Sequence, residues 1–281
     1  MRIAITGGMG RLGQYVVRAL ADHAPRVLDI LPPAAPPPDY HRVDVRDLDA
    51  LPAALQGIEV VVHLGAIDRS FATDDAATMQ VNAIGTWNLF EASRRAGVRR
   101  VVHCSSSSAT GLDASNPGLP PRYLPIDEAH PTHPTDAYGL SKLCGERIAE
   151  AFSRRGLQVL VIRPSFVAFP EMADFMAGKP GPEGRAEPMP YLRAYVGPED
   201  CAAGFAAAAT IDYTGFEIFF LAAADAFATE ATIPRIQALY NAEIPVRDAR
   251  LYEQFPRASP VSHAAARARL GWTPTTRWPA P

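Results

Sequence analysis

The amino-acid sequence predicts an α/β fold with a doubly wound parallel sheet, followed by a small C-terminal lobe. Short apolar segments alternate with helical stretches as far as Arg163, and a glycine-rich turn separates the first segment from the first helix. Beyond Arg163 the periodicity weakens. Strands that alternate with helices pair in parallel through right-handed crossovers. We therefore expect a main domain over 1–165 and a smaller lobe over 166–281, with some late elements returning to the sheet.

The individual elements follow from hydrophobic period and turn residues. Strands are expected at Arg2–Thr6, Arg26–Ile30, Tyr40–Val43, Glu59–Leu64, Arg100–Cys104, Gln158–Arg163 and Glu217–Leu221. Helices are expected from the glycine turn to about Asp22, at Asp47–Leu55, Asp75–Ala96, Asp136–Arg154, Asp200–Ala209 and Ile233–Tyr240, and within Ala264–Trp278. The long helix over 75–96 is amphipathic, with Met79, Ala83, Trp87 and Phe90 on one face.

The composition indicates a globular chain, since hydrophobic residues make up 48% of 281 positions and the net charge is −3. A charge so close to balance gives no reason to expect nucleic acid or an anionic membrane as a partner. The chain opens directly with a strand, and no apolar run reaches the roughly 18 residues that span a bilayer. Its three separate cysteines form no metal-ligand pattern. We expect a cytoplasmic protein with reduced thiols and no bound metal.

A phosphate-binding loop is predicted directly after the first strand. Gly7, Gly10 and Gly13 have the spacing Gly-x-x-Gly-x-x-Gly, a variant of the dinucleotide fingerprint. Glycine permits a sharp turn and a close approach of the backbone to a pyrophosphate. The helix that follows directs free N–H groups and its positive dipole end to the phosphates. This context predicts a Rossmann nucleotide-binding domain.

The end of the second strand predicts which dinucleotide is bound. Asp29 lies there, at the usual distance beyond the glycine loop. A carboxylate in this position accepts hydrogen bonds from a ribose 2′-OH and repels a 2′-phosphate. Neither Ile30 nor Leu31 supplies a cation. We therefore expect NAD rather than NADP.

A candidate catalytic pair lies near the start of the helix over 136–154. Tyr138 and Lys142 are spaced i and i+4, which puts a phenol and an ammonium group on one helix face. A free phenol, with a pKa of about 10, is a poor base at neutral pH, but a nearby cation lowers that pKa. The same spacing is common on exposed helices, so the pair needs support from its surroundings.

A serine run at the carboxyl end of the fifth strand supplies that support. It spans Ser105 to Ser108, and the carboxyl ends of strands in such sheets face the ligand crevice. A serine there can hydrogen-bond a substrate oxygen and hold it against Tyr138. The alternative is a polar strand exit with no catalytic role.

Together these motifs resemble the extended short-chain dehydrogenase/reductase family, also called the NAD-dependent epimerase/dehydratase family. The similar segments cover nearly the whole chain in the family's order. They are TGGMGRLG at 6–13, Asp29, Asp44-Val45, HLGA at 63–66, Asn82, SSSS at 105–108, YGLSK at 138–142, IRPS at 162–165 and LGWTP at 270–274. Within the family, the chain resembles in particular the short members, especially the uronate dehydrogenases.

The resemblance implies a role for each matching position. The coenzyme would be bound by Gly7, Met9, Gly10, Arg11, Leu12, Gly13, Asp29, Asp44, Val45, Leu64, Gly65, Ala66, Asn82, Tyr138, Lys142, Pro164 and Ser165. Among these, Asn82 would also support the active-site helix, and Tyr138 would be the acid/base with Lys142 as its partner. The family's catalytic serine or threonine usually lies five residues before the glycine of a Tyr-Gly step, so Gly111 indicates Ser106. Because Thr110 stands here in place of that tyrosine, Ser107 is a second candidate.

Three interpretations of the function stay open at this point. They are an NAD-dependent oxidoreductase acting on a small sugar-like or other hydroxylated substrate, a nucleotide-sugar epimerase or dehydratase, and a non-catalytic NAD-sensing protein. The small lobe favours the first, because a nucleotide-sugar needs a larger binding surface. The complete set of Tyr138, Lys142 and a nearby serine argues against the third.

Candidate substrate-binding residues are Asp68, Ser107, Ser108, Phe166, Arg185 and Arg193. The stretch from Phe166 to Phe169 is apolar where uronate enzymes carry polar groups for a carboxylate, so a neutral sugar is as consistent as a uronate. Analogy with the family also predicts a homodimer that forms through the helices at 75–96 and 136–154.

Overall fold

A parallel sheet forms the centre of the computed structural model, which describes residues 1–33, 35, 37–68, 74–112, 118–177 and 190–278. The strands are β1 Ile3–Thr6, β2 Arg26–Asp29, β3 Tyr40–Arg42, β4 Val60–His63, β5 Arg100–Cys104, β6 Gln158–Pro164, β7 Phe166–Val167, β8 Tyr195–Val196 and β9 Phe216–Leu221. Seven of them pair in the order β3-β2-β1-β4-β5-β6-β9, and β7 pairs with β8. The predicted Rossmann fold is confirmed.

Helices cover both faces of this sheet. They are α1 Arg11–Ala19, α2 Leu51–Ala54, α3 Asp75–Met79, α4 Gly85–Arg95, α5 Ala137–Ser153, α6 Ala173–Met176, α7 Pro198–Thr210, α8 Thr232–Tyr240, α9 Ala249–Gln254 and α10 Ala264–Leu270. No helix in these described ranges is long and apolar enough to cross a bilayer.

Strand side chains alternate between two hydrophobic cores. Ile3 and Ile5 of β1 face the core that contains α1, α7 and α10, whereas Ala4 faces the core that contains α2, α4 and α5. This is the period-2 alternation of a sheet buried on both faces. The strand order reverses between β1 and β4, and in such sheets ligands bind at the carboxyl ends beside that reversal.

The elements beyond residue 165 do not form a separate layer. β9 pairs in parallel with β6 along its whole length, and α7 packs against α1. A third core joins Leu124 and Ile126, which precede residue 165, to Ile236 and Tyr252 beyond it. The part of the chain beyond residue 165 therefore contributes β9 to the sheet and α7 to the helices that cover it.

Two predicted helices differ from the observed ones. The helix expected over Asp47–Leu55 is only Leu51–Ala54, because the Asp47 carboxylate instead closes a turn by accepting from the N–H groups of Asp49 and Ala50. The helix expected over Asp75–Ala96 is interrupted by a π-helical turn, Gln80–Ile84. This wider turn rotates the following helix, so the expected shared face is wrong at Trp87, which is 39% exposed.

Candidate active site

Helix α5 carries Tyr138 to the carboxyl ends of the central strands. The Asp136 carboxylate caps the helix by accepting from the N–H of Gly139 at 2.8 Å. A side chain at Gly139 would meet the carbonyl oxygen of Ser108 at 2.7 Å. Glycine at this position therefore lets the first turn of α5 pack directly against the serine segment.

Lys142 is buried one turn after Tyr138. Its Nζ donates to the carbonyl oxygen of Cys104 at 3.0 Å and lies 5.7 Å from the centre of the Tyr138 ring. Burial lowers the pKa of Lys142, while electrostatic interaction with Cys104 and Asp68 acts in the opposite direction. An ammonium group fixed beside a phenol favours the phenolate and can assist proton transfer at the tyrosine.

The serines of the segment Ser105–Ser108 differ in burial and in hydrogen-bond partners. Ser105 is buried and donates to Glu146 Oε1 at 2.6 Å. Ser106 is half-buried, and its Oγ accepts from the N–H of Ser108 at 3.0 Å. Ser107 and Ser108 are buried within the 3₁₀ turn Ser107–Thr110. Its greater exposure at the strand end makes Ser106 better placed than Ser107 to contact a substrate.

Asn82 lies in the π-helical turn and bridges two parts of the site. Its Oδ1 accepts from the N–H of Ile67 at 2.7 Å, and its Nδ2 donates to Ser141 Oγ at 3.1 Å. The Ser141 hydroxyl in turn donates to the carbonyl oxygen of Tyr138 at 2.7 Å. The loop after β4 is thereby joined to α5.

A buried histidine extends this connection to the glycine loop. His63 Nδ1 lies 2.7 Å from Thr6 Oγ1, and its Nε2 lies 3.0 Å from Thr86 Oγ1. Burial lowers the pKa of His63 to about 3, so the ring is neutral at pH 7. Thr86 gives its hydroxyl proton to the carbonyl oxygen of Asn82, so Nε2 must donate and Nδ1 must accept from Thr6.

The glycine loop is packed too closely for side chains. A Cβ at Gly13 would collide with the carbonyl oxygen of Gly7, and one at Gly7 would meet the backbone N of Gly65 at 2.7 Å. The first helical bond of α1 runs from Gln14 N to Gly10 O. The N–H groups of Arg11, Leu12 and Gly13 therefore precede that bond and are available to a phosphate.

The Asp29 carboxylate and the Ser165 hydroxyl are suited to binding NAD. The buried Asp29 carboxylate accepts from the N–H of Met9 at 2.8 Å and of Leu31 at 3.0 Å, which leaves capacity to accept a ribose hydroxyl. Ser165 directly follows Pro164 at the end of β6, and its buried Oγ has no hydrogen-bond partner within the described ranges. An unsatisfied buried hydroxyl there suits the polar carboxamide of a nicotinamide.

The loop after β3, where Asp44 and Val45 are predicted to flank the adenine, contacts Gly85 and Asn88, which the motifs did not indicate. Val45 packs so closely on Gly85 that a Cβ there would meet its Cγ2 at 2.6 Å, and it also lies near Gly65. Asp44 forms a bidentate ion pair with Arg46, which lowers the pKa of Asp44. The Asn88 amide donates to the carbonyl oxygens of both Val45 and Arg46. Leu64 and Ala66 lie in the same loop as Gly65.

The candidate substrate residues are not all brought together. Asp68 is exposed beside Lys142, and Phe166 packs against Phe175 and Phe227 with ring centres 5.7 and 5.9 Å apart. Arg193 lies farther along the lobe, close to Arg235. Arg185 is outside the described residues. The described residues of the chain include no cluster of three His, Cys, Asp or Glu suited to a metal ion.

A buried ion pair connects α5 to β6 next to the site. Glu146 of α5 binds Arg163 of β6 through two contacts of 2.7 Å, and both side chains are 3% exposed. Since Glu146 also accepts from Ser105, the pair joins the ends of β5 and β6 to α5.

Comparison with known families agrees with this geometry. Residues 3–179 match the model of the NAD dependent epimerase/dehydratase family. The chain belongs to this family. It is therefore an NAD-dependent enzyme of the extended short-chain dehydrogenase type.

Related family members include sugar dehydrogenases. The chain is 34% identical over 211 residues to L-arabinose 1-dehydrogenase (NAD(P)(+)) of Haloferax volcanii, covering 72% of this chain and 80% of the relative. It is 33% identical over 178 residues to uronate dehydrogenase of Pseudomonas syringae pv. tomato, covering 60% of each.

Solved structures of this fold superpose over nearly the whole chain. MoeE5 in complex with UDP-glucose and NAD matches with a TM-score of 0.72 at 23% identity, covering 99% of this chain and 94% of that one. A short-chain dehydrogenase/reductase superfamily protein from Agrobacterium tumefaciens with bound NAD matches with a TM-score of 0.72 at 25% identity and the same coverage.

Proposed function

We propose that this family member oxidises or reduces a small, sugar-like hydroxylated substrate, with Tyr138, Lys142 and Ser106 as its catalytic residues. The observation that carries the proposal is the buried Lys142 ammonium, 5.7 Å from the Tyr138 ring. The packing of Gly139 on Ser108 adds a serine segment against the same turn of α5.

Each residue has a distinct task in the oxidation direction. Tyr138 removes the hydroxyl proton of the substrate, and Lys142 favours the phenolate form that can do so. The Ser106 hydroxyl hydrogen-bonds the same substrate oxygen and fixes its position. NAD, when bound, accepts the hydride from the carbon that carries this oxygen. In the reduction direction Tyr138 returns the proton.

The aromatic side chains favour a neutral substrate. Phe166 lies two residues beyond the end of β6 and is backed by Phe175 and Phe227. Such a wall suits the apolar face of a sugar ring and offers no partner for a carboxylate. The similarity to an arabinose dehydrogenase supports a neutral sugar.

A substrate screen tests the proposal. Purified enzyme with NAD is incubated with neutral aldoses, uronates, simple alcohols and UDP-sugars, and NADH is followed at 340 nm. Net NADH is expected with at least one neutral aldose. Binding of NAD without turnover of any substrate would instead support a coenzyme-sensing protein.

A nucleotide-sugar epimerase is the second candidate, because one feature favours an anionic substrate. Arg193 and Arg235 lie close enough to repel each other, and with burial this lowers the pKa of Arg235 to about 10. Glu230 is the counter-charge acting on both. The excess positive charge would suit a diphosphate. An epimerase would convert UDP-sugars without net NADH, which product chromatography would detect.

We also propose a homodimer that forms through α4 and α5. Ile84, Trp87 and Leu140 are exposed large hydrophobic residues on this side of the molecule, and apolar exposure of this kind is typical of subunit contacts. Light scattering should give the dimer mass for the native enzyme and the monomer mass for Leu140→Glu. Phe255→Glu, at another exposed hydrophobic residue, should remain a dimer. The expected cytoplasmic location stays a prediction.

A further inference from the structure

The first residue of α1 is tied to a distant segment of the lobe. Arg11 Nη2 lies 2.7 Å from Glu171 Oε1, although the two residues are 160 positions apart. The Arg11 guanidinium also stacks on Phe169, 4.2 Å from its ring centre. Phe169 is 9% exposed and packs in addition against Tyr15 of α1. The segment after β7 is thus attached to α1 beside the phosphate-binding loop.

The position of Arg11 is not explained by the helix to which it belongs. A cation in the first turn opposes the helix dipole, which favours negative charge at that end. An exposed ion pair with Glu171 adds little stability by itself. Arg11 Nε, moreover, is buried and has no hydrogen-bond partner in the described part of the chain. An anion at the start of α1 would satisfy both the dipole and this donor.

We propose that the Arg11 side chain binds the pyrophosphate of NAD(H), and that Phe169 and Glu171 are positioning residues that hold it there. These three residues form a clasp between α1 and the lobe. Because the clasp closes beside the N–H groups of Arg11, Leu12 and Gly13, the coenzyme leaves only when the clasp opens. The proposal depends on NAD(H) binding and not on which substrate the enzyme turns over.

The dissociation rate of NADH measures the clasp directly. Enzyme loaded with NADH is mixed with excess NAD⁺ in a stopped-flow instrument, and the loss of NADH fluorescence gives the rate without any substrate. Glu171→Gln and Phe169→Leu should each raise this rate about two- to fivefold, as expected for one exposed ion pair or one cation–π contact. The melting temperature of free Glu171→Gln should not change, because an exposed ion pair adds little stability.

Arg11→Gln distinguishes the residue that binds the pyrophosphate from the two residues that position it. It should raise the dissociation constant of NADH as well as the dissociation rate, and should weaken the salt dependence of binding, because a charge contact to the coenzyme is lost. Glu253→Gln, an exposed glutamate on α9, is the matched control and should leave every value unchanged.

A competing role for Glu171 predicts a change of the NADH dissociation rate in the opposite direction. If Glu171 merely competed with the pyrophosphate for Arg11, Glu171→Gln would slow dissociation. Slower or unchanged dissociation in Glu171→Gln would overturn the clasp. A failed substrate screen would leave this result intact, so the two proposals are tested separately.

Discussion

The side-chain amide of Asn82 donates to Ser141 Oγ at 3.1 Å and so joins the π-helical turn to α5, the helix that carries Tyr138. The same amide nitrogen donates to the carbonyl oxygen of Ile67 at 3.0 Å. An α-helix in place of the π-helical turn would rotate Asn82 away from these partners. The π-helical turn therefore keeps the Asn82 side chain within hydrogen-bonding distance of Ile67 and Ser141.

Removal of the Asn82 amide should lower turnover more than coenzyme binding. In Asn82→Ala the Ser141 hydroxyl and the loop at Ile67 lose their partner, and we expect kcat to fall by about tenfold, the effect of one or two lost buried hydrogen bonds. Asn88→Ala is the matched comparison, because Asn88 holds the adenine-side loop. It should raise the KM for NAD with little effect on kcat. Equal effects of both variants on kcat would contradict this assignment.

Loss of the Tyr138 hydroxyl should separate chemistry from binding. Tyr138→Phe removes the proton acceptor, so kcat should fall by at least about 100-fold. Coenzyme affinity, measured by NADH fluorescence, should change less than about threefold, since the change of one hydroxyl leaves the phosphate loop intact. Turnover at the native rate would show that Tyr138 is not the acid/base.

Asp29 should determine the preference between the two coenzymes. Asp29→Ala removes the acceptor for the ribose hydroxyl and the charge that repels a 2′-phosphate. We expect the ratio of kcat/KM for NAD to that for NADP to fall by at least about tenfold. Part of the loss with NAD will come from Met9, whose N–H is also bound by Asp29. Asp22→Asn, an exposed acidic residue beyond α1, should leave the ratio unchanged.

The buried ion pair should matter far more for stability than exposed pairs on the same helix. Glu146→Gln leaves the Arg163 charge buried without its counter-ion, and we expect the free energy of unfolding to fall by about 3 kcal/mol or more. Glu150 makes exposed pairs with Arg147 and Arg154, so Glu150→Gln should cost less than about 1 kcal/mol. Urea unfolding measures both, and similar losses would refute the distinction.

Mild acid should destabilise the fold through its buried histidines. His63 has its pKa lowered to about 3 by burial, and the pKa of His103 is also well below the usual value. Between about pH 6.5 and pH 3 the unfolded chain binds a proton at His63 that the folded protein excludes. The free energy of unfolding should therefore fall as pH is lowered, by about 1.4 kcal/mol per pH unit for each histidine well below pH 6.5.

Urea unfolding at pH 7.5, 6.5 and 5.5 measures this slope. His63→Gln cannot take up the proton and should show a shallower fall between the last two values. A free energy of unfolding that stays constant down to pH 5.5 would exclude the buried neutral state of these rings.

The sequence predicted those parts of the fold that local pattern determines. The glycine spacing, the strand that ends at Asp29 and the helix that carries Tyr138 all follow from residues close together in the chain. The structure places the serine segment against α5, as the order of motifs indicated. Trp87 was misplaced because a π-helical turn changes the helical period without a distinctive residue pattern.

Contacts between distant residues could not be predicted in this way. His63 lies within the predicted strand Glu59–Leu64, and nothing in the sequence indicates its hydrogen bonds to Thr6 and Thr86. Neither Glu146 with Arg163 nor Arg11 with Glu171 has a sequence pattern that marks its partner. Such pairs depend on which strand ends become neighbours, and single-sequence periodicity carries no information about that.

The position of β9 in the sheet has a consequence for biosynthesis. β9 pairs with β6, yet it leaves the ribosome only after the whole segment 165–215 has been made. During that interval β6 is an open edge with unpaired backbone groups, which can join another chain. A fragment that stops near residue 165 would keep this edge permanently, so the nucleotide-binding half should aggregate when produced alone.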